Sequence, residues 1–188
     1  ERRESRNHST RRHHNTDKSM RNLITYEEIS QLARPCTTDE DMAKAMIAEA
    51  QRVEIKPRLG DALYLKLMEE APEERLQVLL NGGVWKDSCG DHLLTGIKTA
   101  LAYYALARIT RDGNIQETRY GSVMKDDQYS TDPEKTERQR QYRELFGQAD
   151  SYMAEALNYL AQNRATFPEY KTCAKMRSNR MTIRTIGK

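Results

Sequence analysis

The chain has 188 residues, room for one domain of ordinary size, with 37% hydrophobic and 31% charged residues, so part of it is expected to lie outside a packed core. No run of about 18 apolar residues exists to span a membrane. The first twenty residues are polar and basic, without the apolar stretch of a secretory signal. Cys36, Cys89 and Cys173 are odd in number and lack CxxC spacing, which argues against a disulfide framework or a zinc site and for reduced cytosolic thiols. The net charge of +3 is uneven: residues 1–21 hold seven Lys/Arg against three acidic residues, residues 164–188 seven against one, and residues 22–163 seventeen against twenty-four. An acidic body with two basic ends points to an anionic partner, nucleic acid or an acidic protein surface.

Residues 1–22 have almost no apolar side chain before Met20 and cannot order by themselves. Thr25 and Glu28 have capping-box spacing, so a short helix is predicted to about Ala33, ending before Pro35. Thr37 and Glu40 repeat that spacing and predict a helix over about 39–54. Its inward stripe is read as Met42, Ala45, Met46, Ala50 and Val53, and Pro57 is expected to break it. Leu59-Gly60-Asp61 turns into a short helix with Leu63, Tyr64, Leu67 and Met68 inward, Asp61 reading as a cap. Pro72 suits the first turn of the next helix, which carries Leu76, Leu79 and Leu80. Asn81-Gly82-Gly83 should stop it; with no strand before it, this is a terminator rather than a phosphate loop.

Asp91 is read as the N-cap of a helix over about 92–111. Its segment Ala100 to Ala107 is apolar nearly all round and is expected to be buried on several sides, at the centre of the fold. Asp112-Gly113-Asn114 ends it. Residues 115–131 lack helical periodicity, and Tyr120, Gly121 and Val123 allow a short strand or an extended arm. Ser130-Thr131-Asp132-Pro133 opens the longest helix, about 134–163, with Tyr142, Leu145, Phe146, Ala149, Tyr152, Met153, Ala156, Leu157 and Leu160 in a three-four stripe. Its first two turns, to Gln141, have no apolar residue and are expected to project. Phe167-Pro168-Glu169-Tyr170 is a turn. Arg180 to Ile186 is β-prone and basic, and a lone strand needs a partner. The fold class is therefore mainly α: a helical bundle with a central apolar helix and a long C-terminal helix, an arm between them, and extended basic tails. The parts are a tail over 1–22, a core over 23–163 with the arm at 115–131, and a basic extension over 164–188.

Searches for chemistry return little. His8, His13 and His14 sit in the basic tail without a fold to fix metal geometry, and His92 reads as structural beside a helix cap. Glu69-Glu70, Glu73-Glu74 and Asp126-Asp127 lie in polar stretches and read as solvated faces. No phosphate-binding, dinucleotide, nucleophile-elbow or zinc-protease motif occurs. Ten tyrosines against two phenylalanines and one tryptophan suit half-buried, polar interfaces as well as ordinary helix packing. No catalytic residue, cofactor or metal is expected, and the chain reads as a structural protein rather than an enzyme.

Several segments, taken in order, resemble a known family. They are Ile24-Thr25-Tyr26-Glu27-Glu28-Ile29, Lys56-Pro57-Arg58-Leu59-Gly60-Asp61-Ala62-Leu63-Tyr64, Leu79-Leu80-Asn81-Gly82-Gly83, the helix from Gly96-Ile97-Lys98-Thr99-Ala100 to Ala107-Arg108, and Thr118-Arg119-Tyr120-Gly121-Ser122-Val123. Together they look like the head-to-tail connector (adaptor or ring) proteins of tailed bacteriophages, most similar to those of Bacteroides-type and crAss-like phages. The resemblance implies a helical-bundle subunit of a closed, dodecameric ring beneath the portal protein, joining capsid to tail and lining the DNA channel. It also implies neighbouring connector or tail proteins as partners, packaged DNA in the channel, no membrane, and a place at the virion head–tail junction after assembly in the host cytoplasm.

The candidate subunit-interface arm is Thr118, Arg119, Tyr120, Gly121 and Val123. The candidate partner- or DNA-contacting residues of the tails are Arg2, Arg3, Arg6, Arg11, Arg12, Arg180, Ile183 and Arg184. Two other readings stay open: a nucleic-acid-binding helical regulator that grips DNA with its basic tails, and a small enzyme with an unrecognised site.

Overall fold

The first helix of the computed structural model begins where the capping box places it. Thr25 accepts a hydrogen bond from the Glu28 N–H, and the Glu28 carboxylate accepts one from the Thr25 N–H at 2.8 Å. The structure describes residues 21–87, 89–112, 115–118, 121–124 and 135–170. Helix α1 spans Tyr26–Leu32 and buries Ile29. Helix α2 spans Glu40–Ala50, and its N-cap is Asp39 rather than Thr37: the Asp39 carboxylate accepts from the Asp41 and Met42 N–H groups at 3.1 and 3.2 Å. A carboxylate at that position also complements the helix dipole.

The buried stripe of α2 is Ala43, Ile47 and Ala50; of the expected stripe Ala50 is buried and Met46 packs partly buried on the core. Ala45 is exposed and Val53 stands 53% exposed. Both sets obey three-four spacing; the larger Ile47 decides which turns inward, because it removes more apolar surface from water.

The chain does not stop at Pro57. A π-helical segment, Gln51–Ile55, leads directly into α3, Lys56–Leu59, and the Lys56 N–H reaches back five residues to the Gln51 carbonyl. In a regular helix the Pro57 ring would press on the carbonyl four residues back, and its nitrogen has no hydrogen to donate. The wider turn accommodates both defects, so the helix passes through the proline. Helix α4, Asp61–Leu67, buries Leu63, Tyr64 and Leu67 with Met68 just beyond. Its N-cap is Gly60 (φ 80°), not Asp61; Asp61 instead pairs with Lys56 at 3.3 Å. Helix α5, Glu74–Asn81, has Glu73 at its N-cap position without a side-chain capping bond, and Pro72 one residue outside. It buries Leu76, Leu79 and Leu80 and ends at Gly82 (φ 88°).

Residues 83–94 depart from the expected helix start. They form an antiparallel hairpin, β1 (Gly83–Asp87) with β2 (Gly90–Leu94), in the register Val84↔Leu93, Trp85↔His92 and Lys86↔Asp91. Asp91 is thus a strand residue, and its side chain pairs with Lys86 at 3.1 Å. The turn is held by Asp87, whose carboxylate accepts from the Cys89 and Gly90 N–H groups at 2.6 and 3.1 Å; the Cys89 bond foremost, then His92 and Gly90, hold it below the usual carboxylate range. The hairpin's two ends cross at glycine. A Cβ on Gly82 would lie 2.4 Å from the Leu94 carbonyl oxygen, and one on Gly96 (φ 94°) 2.6 Å from the Leu80 oxygen.

Helix α6, Ile97–Asp112, is the centre of the molecule. From Ala100 to Ile109 every residue but Tyr103 is buried. It packs along α7, Lys135–Gln162, a helix of 28 residues spanning about 42 Å. The α7 side of the seam is Leu145, Ala149, Met153, Ala156, Tyr159 and Leu160, all buried. Aromatic pairs line it: Tyr104 with Phe146 at 5.0 Å and Tyr103 with Tyr152 at 5.2 Å. Gln139 and Arg140, in the charged first turns of α7, are exposed. Between the two helices, β3 (Ile115–Thr118) and β4 (Gly121–Met124) pair antiparallel, so the start of the expected arm is a second hairpin. The fold is mainly α, with a long C-terminal helix.

The turn after α7 is anchored. Phe167 is fully buried against Tyr159 at 5.5 Å. Glu169 takes a two-pronged contact from Arg75, both distances 3.0 Å, and a third from Lys66 at 2.6 Å. These partners, Arg75 first and Lys66 next, pull the Glu169 carboxyl down to about 2.

Two consequences are measurable. Gly96→Ala meets backbone at 2.6 Å in a left-handed conformation and is expected to lose about 2 kcal/mol or more of unfolding free energy. Gly147→Ala, in open space on α7, is expected to gain about 0.5–1 kcal/mol. Chemical denaturation of both variants checks the pair. The Glu169 carboxyl titrates lower folded than unfolded, so its contribution is complete above its unfolded value near 4.3 and fades as pH falls towards about 2. Thermal melts from pH 7 to pH 2.5 should show a shallower acid decline in Glu169→Gln than in the parent.

Candidate interaction surface

Arg108, the most deeply buried charged residue among those described, meets its partners where the π segment faces α6 and α7. Glu54 accepts from Arg108 at 3.0 Å and lies 3.7 Å from Arg58. Arg108, 5% exposed, also donates to Glu49 at 2.7 Å. Arg58 pairs with Asp150 at 2.7 Å and donates to the hydroxyl of the buried Tyr104, which itself donates to Asp150 at 2.5 Å. Burial, and then the bond to Asp150, push the Tyr104 hydroxyl well above its ordinary value. The π segment is what aims Glu54 here, and one turn earlier it aims Gln51, 2% exposed, the other way. Gln51 accepts from the Leu23 N–H at 2.5 Å and donates to the Arg21 carbonyl at 3.1 Å and the Tyr64 hydroxyl at 3.3 Å. The network ties α2, α3, α6 and α7 together, and within it the Arg108 Nε has no hydrogen-bond partner. Perturbed titration in such a place accompanies structural ion pairs as well as active sites, and this arrangement acts as a strap between helices. Among the described residues, no three His, Cys, Asp or Glu side chains are placed to hold a metal ion, and no helix is long and apolar enough to cross a membrane.

The molecule's more distinctive surface is the β1–β2 hairpin. Its inner face packs Trp85 against Tyr159 at 5.2 Å, and His92 stacks on Trp85 at 4.8 Å while bonding Asp87 at 2.9 Å. His92 is thus a strand residue rather than a neighbour of a helix cap. The outer face carries Val84 and Leu93, 68% and 72% exposed and directly opposite each other. A groove of about 380 Å³ lies elsewhere, lined by Arg52, Lys56, Asp61, Tyr64 and Leu65, with Leu65 53% exposed. A third, of about 390 Å³, runs between Pro35 and Cys36, the end of α6 and the start of α7.

The residues expected to form the interface are only partly within view. Thr118 pairs with Gly121 and Gln116 with Val123 across the second hairpin. Arg119 and Tyr120 lie outside the described residues, as do residues 125–131 of the arm. So do the tail residues Arg2, Arg3, Arg6, Arg11, Arg12, Arg180, Ile183 and Arg184 and the β-prone stretch 180–186. Sequence reasoning missed the first hairpin's outer face. The signal was present, a Trp85/His92/Leu94 alternation around Gly90, but Val84 and Leu93 share their face with Lys86 and Asp91, which blurs the apolar–polar period.

The buried network makes a direct prediction. Glu54→Ala leaves Arg108 with a buried, under-compensated guanidinium and is expected to cost about 3–5 kcal/mol. Asp150→Asn, at a side chain 45% exposed, should cost clearly less. Denaturant unfolding of the two variants ranks them; equal losses would show that Glu54 does not hold the strap.

Neither a curated protein nor a solved structure matches the chain. A family model described as a family of unknown function (DUF6712) matches residues 55–180, from the end of the π segment through both hairpins and the whole of α7. The chain is therefore a member of the DUF6712 family.

Proposed function

We propose that this chain is a structural subunit of a tailed-phage head-to-tail connector, one of a ring of copies docked beneath the portal, with DNA passing through the central channel. The observation that carries the reading is the order of the connector-like segments along one packed body. Ile24–Ile29 supplies the capped α1, Lys56–Tyr64 the proline-containing bend into α4, Leu79–Gly83 the glycine stop, Gly96–Arg108 the central helix, and Thr118 and Gly121 to Val123 lie in the paired strands β3 and β4. Two hairpins leave opposite ends of α6, one before Ile97 and one after Asp112. A ring subunit needs two different faces on a body that does not deform, because each heterologous contact joins one surface to another. The α6–α7 seam and the Arg108–Glu54–Arg58 strap are suited to such a body. The basic ends are assigned to neighbouring proteins of the junction or to DNA, and the chemistry is assembly rather than catalysis.

The test is docking. Purified chain added to portal assemblies encoded with it should bind and appear as a ring in electron micrographs. Replacing residues 116–128 by a short Gly-Ser linker should leave helical circular dichroism unchanged and abolish ring formation. A chain that ignores the portal, dimerises in light scattering and binds duplex DNA with a steep salt dependence would move the assignment to a nucleic-acid-binding regulator.

A further inference from the structure

The described body holds its two ends at one place. At the entry, Gln51 fixes the Leu23 N–H and the Arg21 carbonyl, and the Arg21 guanidinium donates to the Glu69 carbonyl at 3.2 Å. At the exit, Glu169 is held by Lys66 and Arg75 at 2.6 and 3.0 Å, and Arg75 also donates to the Thr166 carbonyl. Both anchors belong to the end of α4 and its connection to α5: the Glu69 N–H bonds the Lys66 carbonyl at 3.3 Å, and Glu73 pairs with Arg75. The chain therefore enters the body at Arg21 and leaves it after Tyr170 at a common pole. Residues 1–20, before the entry, carry six Lys/Arg against three acidic residues, and residues 171–188, after the exit, six against none. The pole itself is acidic, with Glu69, Glu70 and Glu74 exposed. Those three carboxylates can offset only a third of the excess of nine positive charges.

We propose that the two basic segments bind duplex DNA together, as one bivalent contact at this pole. The uncompensated charge needs a partner denser in negative charge than the body supplies. Duplex DNA carries about one phosphate charge per 1.7 Å of axis, so nine charges are matched within about 15 Å. Neither segment has a Phe, Trp or Tyr, so neither can stack an aromatic ring on the bases of a single strand. Contact is therefore with the phosphate backbone and independent of base sequence. Because both segments start at one place, binding by the first holds the second near the same duplex and raises its effective concentration. The carboxylates of the pole oppose the contact and limit its strength. The inference goes beyond the ring reading and does not depend on it.

The experiment measures binding of the full chain to a mixed-sequence duplex of about two helical turns, by fluorescence anisotropy between about 50 and 200 mM salt. The parent should bind one duplex per chain, with affinity falling steeply as salt rises. Replacing Arg2, Arg3, Arg6, Arg11 and Arg12 by Gln should cost at least tenfold at the lower salt and flatten the salt slope. Replacing Lys175, Arg177, Arg180 and Arg184 by Gln should do the same, and both sets together should abolish binding. Glu69→Gln with Glu70→Gln should tighten binding severalfold. Glu137→Gln with Glu144→Gln makes the same change in net charge near the start of α7, about 25 Å or more along that helix from its end. Charges at that range are screened, so this control should bind like the parent. Equal effects of the two carboxylate pairs overturn the common pole. Two duplexes per chain, tighter binding to the single strand, or affinity that survives both replacements overturns the joint contact. If the parent ignores DNA and the replaced chains lose docking on the portal, the segments serve an acidic protein surface: the inference falls and the ring reading stands. If the parent binds DNA as expected but never docks on the portal, the inference stands and the ring reading falls.

Discussion

Glu54 sits between two guanidinium groups, and the arrangement of the helices follows from that position. Arg108 approaches it from the buried face of α6 and Arg58 from the next turn of its own helix, while Arg58 continues to Asp150 on α7. A buried charge is costly unless paired, so the elements that carry these groups cannot slide past one another without leaving one of them stranded. Such pairs add little net stability compared with well-packed apolar residues. Their effect is to make misaligned packings expensive, which sets the register of α6 against α2 and α7 in a seam otherwise built from alanine, leucine and tyrosine.

That constraint depends on a local irregularity. A regular helix from Glu40 onward would have met Pro57 with a clash and a lost hydrogen bond. The π segment absorbs the proline, and the extra residue in the turn rotates Gln51 and Glu54 to opposite jobs. Gln51 holds the incoming strand of chain at Arg21 and Leu23, and Glu54 holds the helices. One backbone device thus links the entry of the chain to its centre. The exit is fastened separately, by Phe167 in the core and Glu169 between Arg75 and Lys66.

For a subunit proposed to work by contact, these features have a common sense. The buried Arg108 guanidinium is paired with Glu49 and Glu54, while the outward apolar groups include Val84 and Leu93 on a hairpin and Leu65 on α4. The hairpin is held at its base by the Gly82–Gly96 crossing and at its turn by Asp87. It therefore presents Val84 and Leu93 on a fixed platform rather than on a wandering loop, which reduces the ordering entropy that binding must overcome.

The sequence by itself determined the features whose physics is local. The Thr25–Glu28 box, the stop at Gly82 and the all-round apolar run from Ala100 to Ala107 each involve residues within a few turns of one another, and the helical class of the protein followed from them. The regular stripe of α7 was legible for the same reason. The arm was legible only as a break in periodicity. What tertiary structure decided was every choice between locally equivalent options. Asp91 satisfies a helix cap and a strand edge equally well until Trp85 finds Tyr159. Two stripes of α2 have the same spacing until Ile47 meets the core. Pro57 ends a helix in isolation but not when Arg108 and Asp150 hold partners for Glu54 and Arg58 on either side of it. The outward pair Val84–Leu93 and the groove at Leu65 became visible only once packing had claimed the other face of each element. Exposure is a property of the whole fold and is not encoded in any window of the chain.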